Sequence, residues 1–245
     1  MLYAIMQATH REVVTMNDQF IINNGVLVDH EISSETEADV VIPHGVTAIG
    51  KNVFCGYRNI KSVSIPDSVG CIDTAAFQSC TALTSVVIPG SVLLICSEAF
   101  DYCENLKAVV LETGVRNISS YAFSNCDKLM AVTIPDSVKD IDDGAFSGCE
   151  SLPTITIPGS VAVISPYTFS QCSSLQSVVL QDGVIAIRDE AFADCTSLQT
   201  VIIPGSVTKI AADAFEACEN LTIYAPSGSF AEQYAKEKGI PFVRT

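Results

Sequence analysis

Ten cysteines are the residues of this 245-residue chain that most invite a chemical role. Zinc sites usually place two cysteines, or two histidines, within a few residues of each other. No C-x-x-C occurs here, and His10, His30 and His44 lie outside the main group of cysteines, so zinc-ligand spacing is absent. Seven of the ten instead recur every 23 residues, at Cys80, Cys103, Cys126, Cys149, Cys172, Cys195 and Cys218.

Disulfide pairing among these seven is the alternative. Equivalent residues in neighbouring turns of a repeat protein lie about 5 Å apart at Cα, near the disulfide range. Their side chains would however point in parallel, and seven cannot all pair. We therefore favour reduced, buried cysteines that pack as small hydrophobic side chains. Cys55, Cys71 and Cys96 are outside this column, and Cys55 is expected to face solvent, where it could react.

Signatures of an enzyme are missing. All three histidines precede residue 45, so a Ser-His-Asp or Cys-His site would have to lie at the N-terminal end. There is no glycine-rich phosphate loop, no G-x-S-x-G and no H-E-x-x-H. Two acidic clusters fit no calcium-binding loop, and we expect them to be surface charge. The sequence thus predicts no catalytic, cofactor-binding or metal-binding residue. The clusters are Asp140 with Asp142 and Asp143, and Asp189 with Glu190.

The elements that position these residues follow from a second regularity of the same length. Phenylalanine recurs at an unbroken 23-residue interval, at Phe54, Phe77, Phe100, Phe123, Phe146, Phe169, Phe192 and Phe215. A fixed period of this length is typical of a solenoid, in which each repeat buries its apolar face against its neighbours. PDSV, PGSV and a Pro-less variant also recur 69 residues apart, which indicates duplication of a three-unit block.

Each unit contains three predicted segments, as in FQSCTALTSVVIPGSVLLICSEA. The stretch L-x-x-V-x-I predicts a short strand with Val86 and Ile88 pointing inward and the residues between them outward. Pro89 lacks an N–H and ends that strand. The V-x-x-I segment predicts a second short extended piece. A helical turn follows, and from the equivalent turn one unit earlier Phe77 and Cys80 point inward.

The two ends are predicted to cap the stack. Two apolar runs flank Asn-Gly over residues 20–28, which predicts a β-hairpin that covers the first repeat. Ser229 and Glu232 form a capping box, and Phe230 and Tyr234 an apolar pair, in a short helix that closes the last repeat. The predicted division is residues 1–37 as an N-terminal capping segment, 38–223 as a solenoid of about eight units, and 224–245 as a C-terminal capping helix and tail.

The charge balance excludes some partners. Net charge is −15, with 28 acidic against 13 basic residues, which disfavours nucleic acid and anionic membranes. No apolar run approaches the ~20 residues that span a bilayer. The opening MLYAIM is short and lacks a basic flank, so we do not expect a signal peptide there. The chain is then intracellular, or its export signal lies outside this sequence.

Written as F-x-x-C-x-x-L-x-x-V-x-I-P-x-S-V-x-x-I-x-x-x-A, the unit resembles the BspA-like leucine-rich repeats over residues 38–223. It departs from that pattern at Tyr57, where cysteine is expected, and at Glu112 and Gln181, where proline is expected. The resemblance implies an α/β repeat solenoid: a right-handed coil with a parallel β-sheet on its concave face and short strands and helical turns on the other side.

The resemblance also implies a location and a role. Members are mostly surface or secreted proteins of bacteria, and several act as adhesins or bind host proteins. The family supplies no catalytic residues to transfer. It implies a non-enzymatic binding protein whose partner is a host or extracellular protein, without direct membrane insertion.

The concave face carries the candidate binding residues. Its neighbouring outward column, from Asp39 to Thr200, is also mostly small and uncharged. These residues either simply suit strand positions or form a weakly apolar stripe that docks a polypeptide. Asp67, Asp136 and Asp182 in the following loop could add selectivity for a basic partner. The central outward column, which starts at Val41, continues through Ser64, Val87, Val110, Thr133, Thr156, Val179 and Ile202.

Two functions from different classes remain open at this point. The first is a non-enzymatic protein-binding or adhesion module that uses the concave face and the adjacent loops. The second is a structural spacer or scaffold, whose function resides in absent segments or in self-association.

Overall fold

The computed structural model describes residues 12–14 and 19–245. These residues form a solenoid of short strands with a single C-terminal helix, α1 (Phe230–Lys238). The predicted MLYAIM segment and His10 lie outside the described residues. The strands are β1 (Glu12–Val14), β2 (Phe20–Asn23), β3 (Val26–His30), β4 (Ala38–Val41), β5 (Ala48–Ile49), β6 (Ile60–Ser64), β7 (Cys71–Ile72), β8 (Ser85–Ile88), β9 (Leu94–Ile95), β10 (Ala108–Leu111), β11 (Asn117–Ile118), β12 (Ala131–Thr133), β13 (Asp140–Ile141), β14 (Thr154–Ile157), β15 (Val163–Ile164), β16 (Ser177–Leu180), β17 (Ala186–Ile187), β18 (Thr200–Ile202), β19 (Lys209–Ile210), β20 (Thr222–Ala225) and β21 (Phe242–Arg244).

Each turn of the solenoid contributes one strand to each of two parallel sheets. The first sheet contains the longer strands, in the orders β1-β4-β6-β8-β10-β12 and β14-β16-β18-β20-β21. The second contains the two-residue strands and, at its N-terminal end, the antiparallel pair β2 and β3, in the orders β13-β11-β9-β7-β5-β3-β2 and β15-β17-β19. Equivalent residues pair directly, as Val86 with Val109. The predicted solenoid with a parallel sheet is therefore confirmed.

The phenylalanines form a continuous ladder through the core. Neighbouring rings are nearly parallel, at interplanar angles of 3–12°, with centroids 5.0–5.5 Å apart. Seven of the eight are fully buried, and Phe215 is 6% exposed. His30 stacks on Phe54 at 4.6 Å, and Tyr234 meets Phe215 at 6.2 Å and 59°. The ladder therefore ends on a different ring at each end.

The segment that carries each phenylalanine is a series of tight turns, whereas the sequence predicts a helical turn. Ala75 and Ser79 adopt left-handed backbone conformations, with φ of 55° and 57°. The N–H groups of Ala75, Phe77 and Ser79 donate to carbonyls of the next unit, while those of the residues between them bond within the segment. A helix would keep every N–H within one segment. The left-handed residues turn alternate N–H groups toward the next unit. Hydrogen bonds therefore join neighbouring units on this side of the solenoid as well as in the two sheets.

Both ends are covered by elements that the sequence predicts. β2 and β3 form an antiparallel hairpin through Asn24 and Gly25, and β3 pairs with β5. At the other end, the side chain of Ser229 accepts a hydrogen bond from the Glu232 N–H, and α1 ends at left-handed Gly239. Glu232 bonds to the Gly228 N–H rather than to that of Ser229. The exact division of the chain into caps and solenoid stays a prediction.

The predicted Phe230–Tyr234 pair is only half correct. Tyr234 is buried at 5% exposure, but Phe230 is 38% exposed. The face of α1 that packs on the last turn consists of Ala231, Tyr234 and Ala235. Helix closure of the last repeat therefore rests on one aromatic ring and two alanines.

Both sheets are interrupted at one junction. Among the described residues, β12 does not pair with β14, and β13 does not pair with β15. At other junctions of the first sheet the residue before the strand donates its N–H to the preceding unit, as Lys107 does to the Thr84 carbonyl. Pro153 occupies that position here and has no N–H to give to Met130. The Phe146–Phe169 contact continues across the gap.

Within the described part of the chain, no helix has the length and hydropathy that crossing a membrane requires.

Candidate functional site

The outward residues of the first sheet follow one another in register along the solenoid. Val41 pairs with Ser64, and Val87, Val110 and Thr133 occupy consecutive strands. Beyond the interrupted junction, Thr156, Val179 and Ile202 do the same. We call this column the sheet stripe. The structure thus brings the predicted residues together as two runs rather than one.

Large apolar side chains in the sheet stripe are open to solvent. Val87 and Val110, which are Cα partners, are each 50% exposed, Ile202 is 38% exposed and Val179 is half-buried. Val41 at the N-terminal end is 36% exposed, the remaining members are serine or threonine, and none is charged. In a chain with net charge −15, this leaves a surface that costs little to dehydrate.

The sheet stripe is longer than the sequence predicts. Ile202 pairs with Tyr224, and Tyr224 pairs with Val243 of β21. The last repeat is 22 residues long, so a strict 23-residue step from Ile202 falls on buried Ala225 instead. The predicted column ends at Ile202, and the structure extends it by the aromatic residue Tyr224. Tyrosine is a frequent energetic centre of protein interfaces.

The neighbouring outward column contains one charge. Asp39 accepts a hydrogen bond from the Ser62 hydroxyl at 2.5 Å, so its carboxylate is held against the sheet. Ser85 and Ala131 are exposed, and Ala108 is half-buried. This column therefore widens the uncharged surface on one side of the sheet stripe.

The loop after each strand of the first sheet presents the predicted acidic positions. Asp67, Asp136 and Asp182 are all exposed. Glycines occupy the equivalent position in other units, and two of them have a packing reason: a Cβ at Gly90 or Gly159 would overlap a carbonyl oxygen of the next unit. These two glycines therefore allow close approach between turns, and the exposed aspartates are available for contact with a partner.

The cysteine column satisfies backbone carbonyl groups. Each of the seven thiols donates to the carbonyl of the phenylalanine 26 residues earlier, at 3.1–3.3 Å, as Cys103 does to Phe77. Burial raises the pKa of the Cys126 and Cys149 thiols well above their ordinary value. All ten cysteines are free thiols. The column therefore combines small apolar packing with a donor that the backbone uses, a role the sequence pattern did not reveal.

The structure describes two of the three histidines, His30 and His44. His30 is buried, its Nδ1 accepts the Ile32 N–H at 3.1 Å, and its Nε2 lies 3.0 Å from the Val53 carbonyl oxygen. Burial lowers the pKa of His30, so the ring is neutral and carries its proton on Nε2. Both ring nitrogens are occupied by the backbone. His44 is exposed in a loop.

The predicted acidic clusters lie where the second sheet meets the turns. Burial and the nearby charges of Asp140 and Asp143 raise the pKa of Asp142. Asp189 is exposed and Glu190 is half-buried. Across the described ranges, no three histidine, cysteine or acidic side chains gather in a way that could hold a metal ion.

Comparison with known families gives a specific match. The BspA type leucine rich repeat region matches residues 33–149 and 94–222, in six copies. No curated protein matches the chain.

Solved structures of bacterial proteins are similar. A leucine rich cell surface protein from Faecalibacterium prausnitzii A2-165 is 31% identical, with a TM-score of 0.54 over 82% of this chain and 62% of its own length. The leucine rich repeat protein of T. pallidum is 24% identical, with a TM-score of 0.66 over 94% and 97%. The pneumococcal vaccine antigen PcpA is 16% identical, with a TM-score of 0.56 over 85% and 67%. The last two likenesses concern the fold alone.

Proposed function

Because the chain belongs to the BspA-type leucine-rich repeat family, we propose that it is a non-enzymatic module that binds another protein on its sheet stripe, as an adhesion module of a bacterial surface or secreted protein. One observation carries the proposal. The sheet stripe is free of charge along its whole length in a strongly acidic chain, and it exposes half of Val87 and of Val110 side by side.

The physical basis is the low cost of covering this surface. Burying apolar area gives about 25 cal/mol for each Å² removed from water, and here no charged side chain needs dehydrating. The outward residues stand on paired strands, so they are ordered before binding and lose little conformational freedom. Tyr224 at the C-terminal end adds a large ring that is suited to a pocket on a partner.

The nature of the partner follows from the charges around the stripe. Asp67, Asp136 and Asp182 border it in the adjacent loops. A polypeptide with a mainly uncharged contact surface and basic residues at its edge would complement this arrangement. We infer an extracellular or host protein of that kind, since the similar F. prausnitzii protein is described as a cell surface protein and this chain covers 62% of its length.

The same surface defines the experiment. Val87→Glu combined with Val110→Lys places two opposite charges in directly paired positions. Opposite charges on paired strands attract each other, so strand pairing is preserved while the stripe becomes charged. The matched control is Leu93→Glu with Ile185→Lys, because these residues are 49% exposed but lie outside the stripe. Each immobilised variant is exposed to labelled plasma and extracellular-matrix proteins.

We expect the stripe variant to lose at least tenfold in affinity for proteins that the wild type retains, and the control to lose less than twofold. Circular dichroism and urea unfolding must first show that both variants are folded. Equal binding by the stripe variant and the wild type would reject the proposal. A wild-type protein that retains nothing would favour the spacer function instead.

A further inference from the structure

Two of the three cysteines outside the column lie next to each other on the second sheet. The Sγ atoms of Cys71 and Cys96 are 3.7 Å apart, and both residues are partly exposed. Cys71 begins β7 and Cys96 directly follows β9, so they belong to neighbouring turns of the solenoid. Ile72 and Ile95, which pair in the ladder, are fully buried, so the two cysteines share the outward face.

We propose that Cys71 and Cys96 form an intramolecular disulfide when the protein meets a small-molecule disulfide oxidant, and that this bond is a modification site joining two adjacent turns. The proposal does not depend on the binding function. It distinguishes this pair from the other eight cysteines, of which seven donate to carbonyl groups in the core.

Contact together with accessibility favours this pair, because the thiols of Cys172 and Cys195 also interact but are buried in the core. A disulfide requires sulfur atoms about 2.0 Å apart, so closure from the present separation requires about 1.7 Å of movement. Cys96 lies just beyond the end of its strand, where rotation of its side chain does not disturb a paired residue. Cys55 is exposed, but its thiol contacts the side-chain oxygen of Gln78, at 3.7 Å, and not another thiol.

The two thiols have different roles in the reaction. Burial raises the pKa of Cys71, while the contact with Cys96 lowers it. Burial, the charge of Cys71 and that same contact all raise the pKa of Cys96, to about 12. With Cys71 as the attacking thiol, Cys96 is the resolving thiol, and exchange of these two roles gives the same bond.

Glutathione disulfide can serve as the oxidant, by two successive thiol–disulfide exchanges. The Cys71 thiolate attacks one sulfur of glutathione disulfide, a Cys71–glutathione bond forms, and a glutathione thiolate leaves. The Cys96 thiolate then attacks the Cys71 sulfur, which forms the Cys71–Cys96 bond and releases the second glutathione thiolate. The two protons of the protein thiols end on the two glutathione thiols. The protein loses two electrons, and glutathione disulfide gains them.

The test uses the full chain in glutathione buffers from fully reduced to fully oxidised. Free thiols are then blocked with iodoacetamide in denaturant, and the protein is digested for mass spectrometry. No lysine or arginine occurs between Lys61 and Lys107, so trypsin leaves both cysteines in one peptide. Chymotrypsin cleaves after Phe77 and separates them, so that a cross-link appears as two joined peptides.

We expect to detect the joined peptides, with a mass two hydrogens below the sum of the two free-thiol peptides. The column cysteines should be alkylated in every buffer. Cys96→Ser should stop at a stable glutathione adduct on Cys71, and Cys55→Ser should leave the cross-link unchanged. The cross-linked protein should have a Tm about 5 °C higher than the reduced one, because the bond restrains the unfolded chain.

Three results would overturn the proposal. The first is alkylation of both Cys71 and Cys96 in the fully oxidised buffer. The second is a glutathione adduct on wild-type Cys71 that never proceeds to the cross-link. The third is a cross-link that involves Cys55 or a column cysteine in place of this pair.

Discussion

The phenylalanine ladder supplies a stability prediction that can be worked from its geometry. Phe123 is fully buried, and its ring lies 5.2 Å from that of Phe100 and 5.4 Å from that of Phe146. Phe123→Ala removes the ring and leaves a cavity, which should lower the free energy of unfolding by about 3–5 kcal/mol. Phe123→Leu keeps most of the volume but loses two ring contacts, so it should cost about 1–3 kcal/mol.

A matched control is available in α1. Phe230 is 38% exposed and belongs to no ladder, so Phe230→Ala should change the free energy of unfolding by no more than about 0.5 kcal/mol. Urea unfolding followed by far-ultraviolet circular dichroism and by tyrosine fluorescence measures all three variants, since the chain has no tryptophan. Two probes are needed because part of a repeat protein can unfold separately from the rest.

The outcome distinguishes two explanations of the ladder. If Phe123→Leu unfolds at the urea concentration of the wild type, stacking contributes nothing beyond filling space. If Phe123→Ala costs less than about 1 kcal/mol, the ring is not part of a tightly packed core, and the phenylalanine ladder does not stabilise the solenoid.

Three other features of the chain give predictions of the same kind. Pro153→Thr introduces an N–H that can donate to the Met130 carbonyl, so it should add about 0.5–1.5 kcal/mol to the free energy of unfolding. Amide hydrogen exchange should become slower on both sides of the gap. Gly159→Ala should destabilise because its Cβ would overlap a carbonyl of the next turn, whereas at Gly205 the nearest atom is 3.8 Å away and alanine should be neutral or better by urea unfolding. Burial lowers the pKa of His30 below 6.5, so its contribution to stability is complete above about pH 6.5 and is lost as the pH falls towards the lowered pKa; His30→Phe should remove that part of the difference between urea midpoints at pH 7.5 and 5.5.

Much of the fold could be predicted because the same residue types recur at one spacing. The phenylalanine and cysteine columns, the alternation around Val86 and the hairpin at Asn24 and Gly25 each depend on local chemistry that repeats. The turns could not be predicted in the same way. Ala75 and Glu98 adopt left-handed conformations that neither residue type favours, because hydrogen bonds to the next unit hold them there.

The sequence identifies the members of the candidate site from Val41 to Ile202, but not its C-terminal extension or the interruption between β12 and β14. Val87 and Val110 were found from the strand alternation alone. Tyr224 was missed because the final repeat is one residue shorter, which shifts the outward position. Pro153 is visible in the sequence at a place where other units have a residue with an N–H, and this signal could have indicated the interrupted sheets. The Cys71–Cys96 contact depends on where a strand ends, and the repeat pattern does not define that point to one residue.

The interrupted junction has a mechanical consequence. Across it the turns remain joined on the phenylalanine side, where Phe146 donates its N–H to Thr168 at 2.9 Å, while both sheets lack pairing. We therefore expect bending stiffness to be lowest at this point, with the axis of easiest bending along the phenylalanine side. A change of angle there would tilt the half of the molecule that carries Val110 against the half that carries Val179, so a large partner touching both would select one curvature.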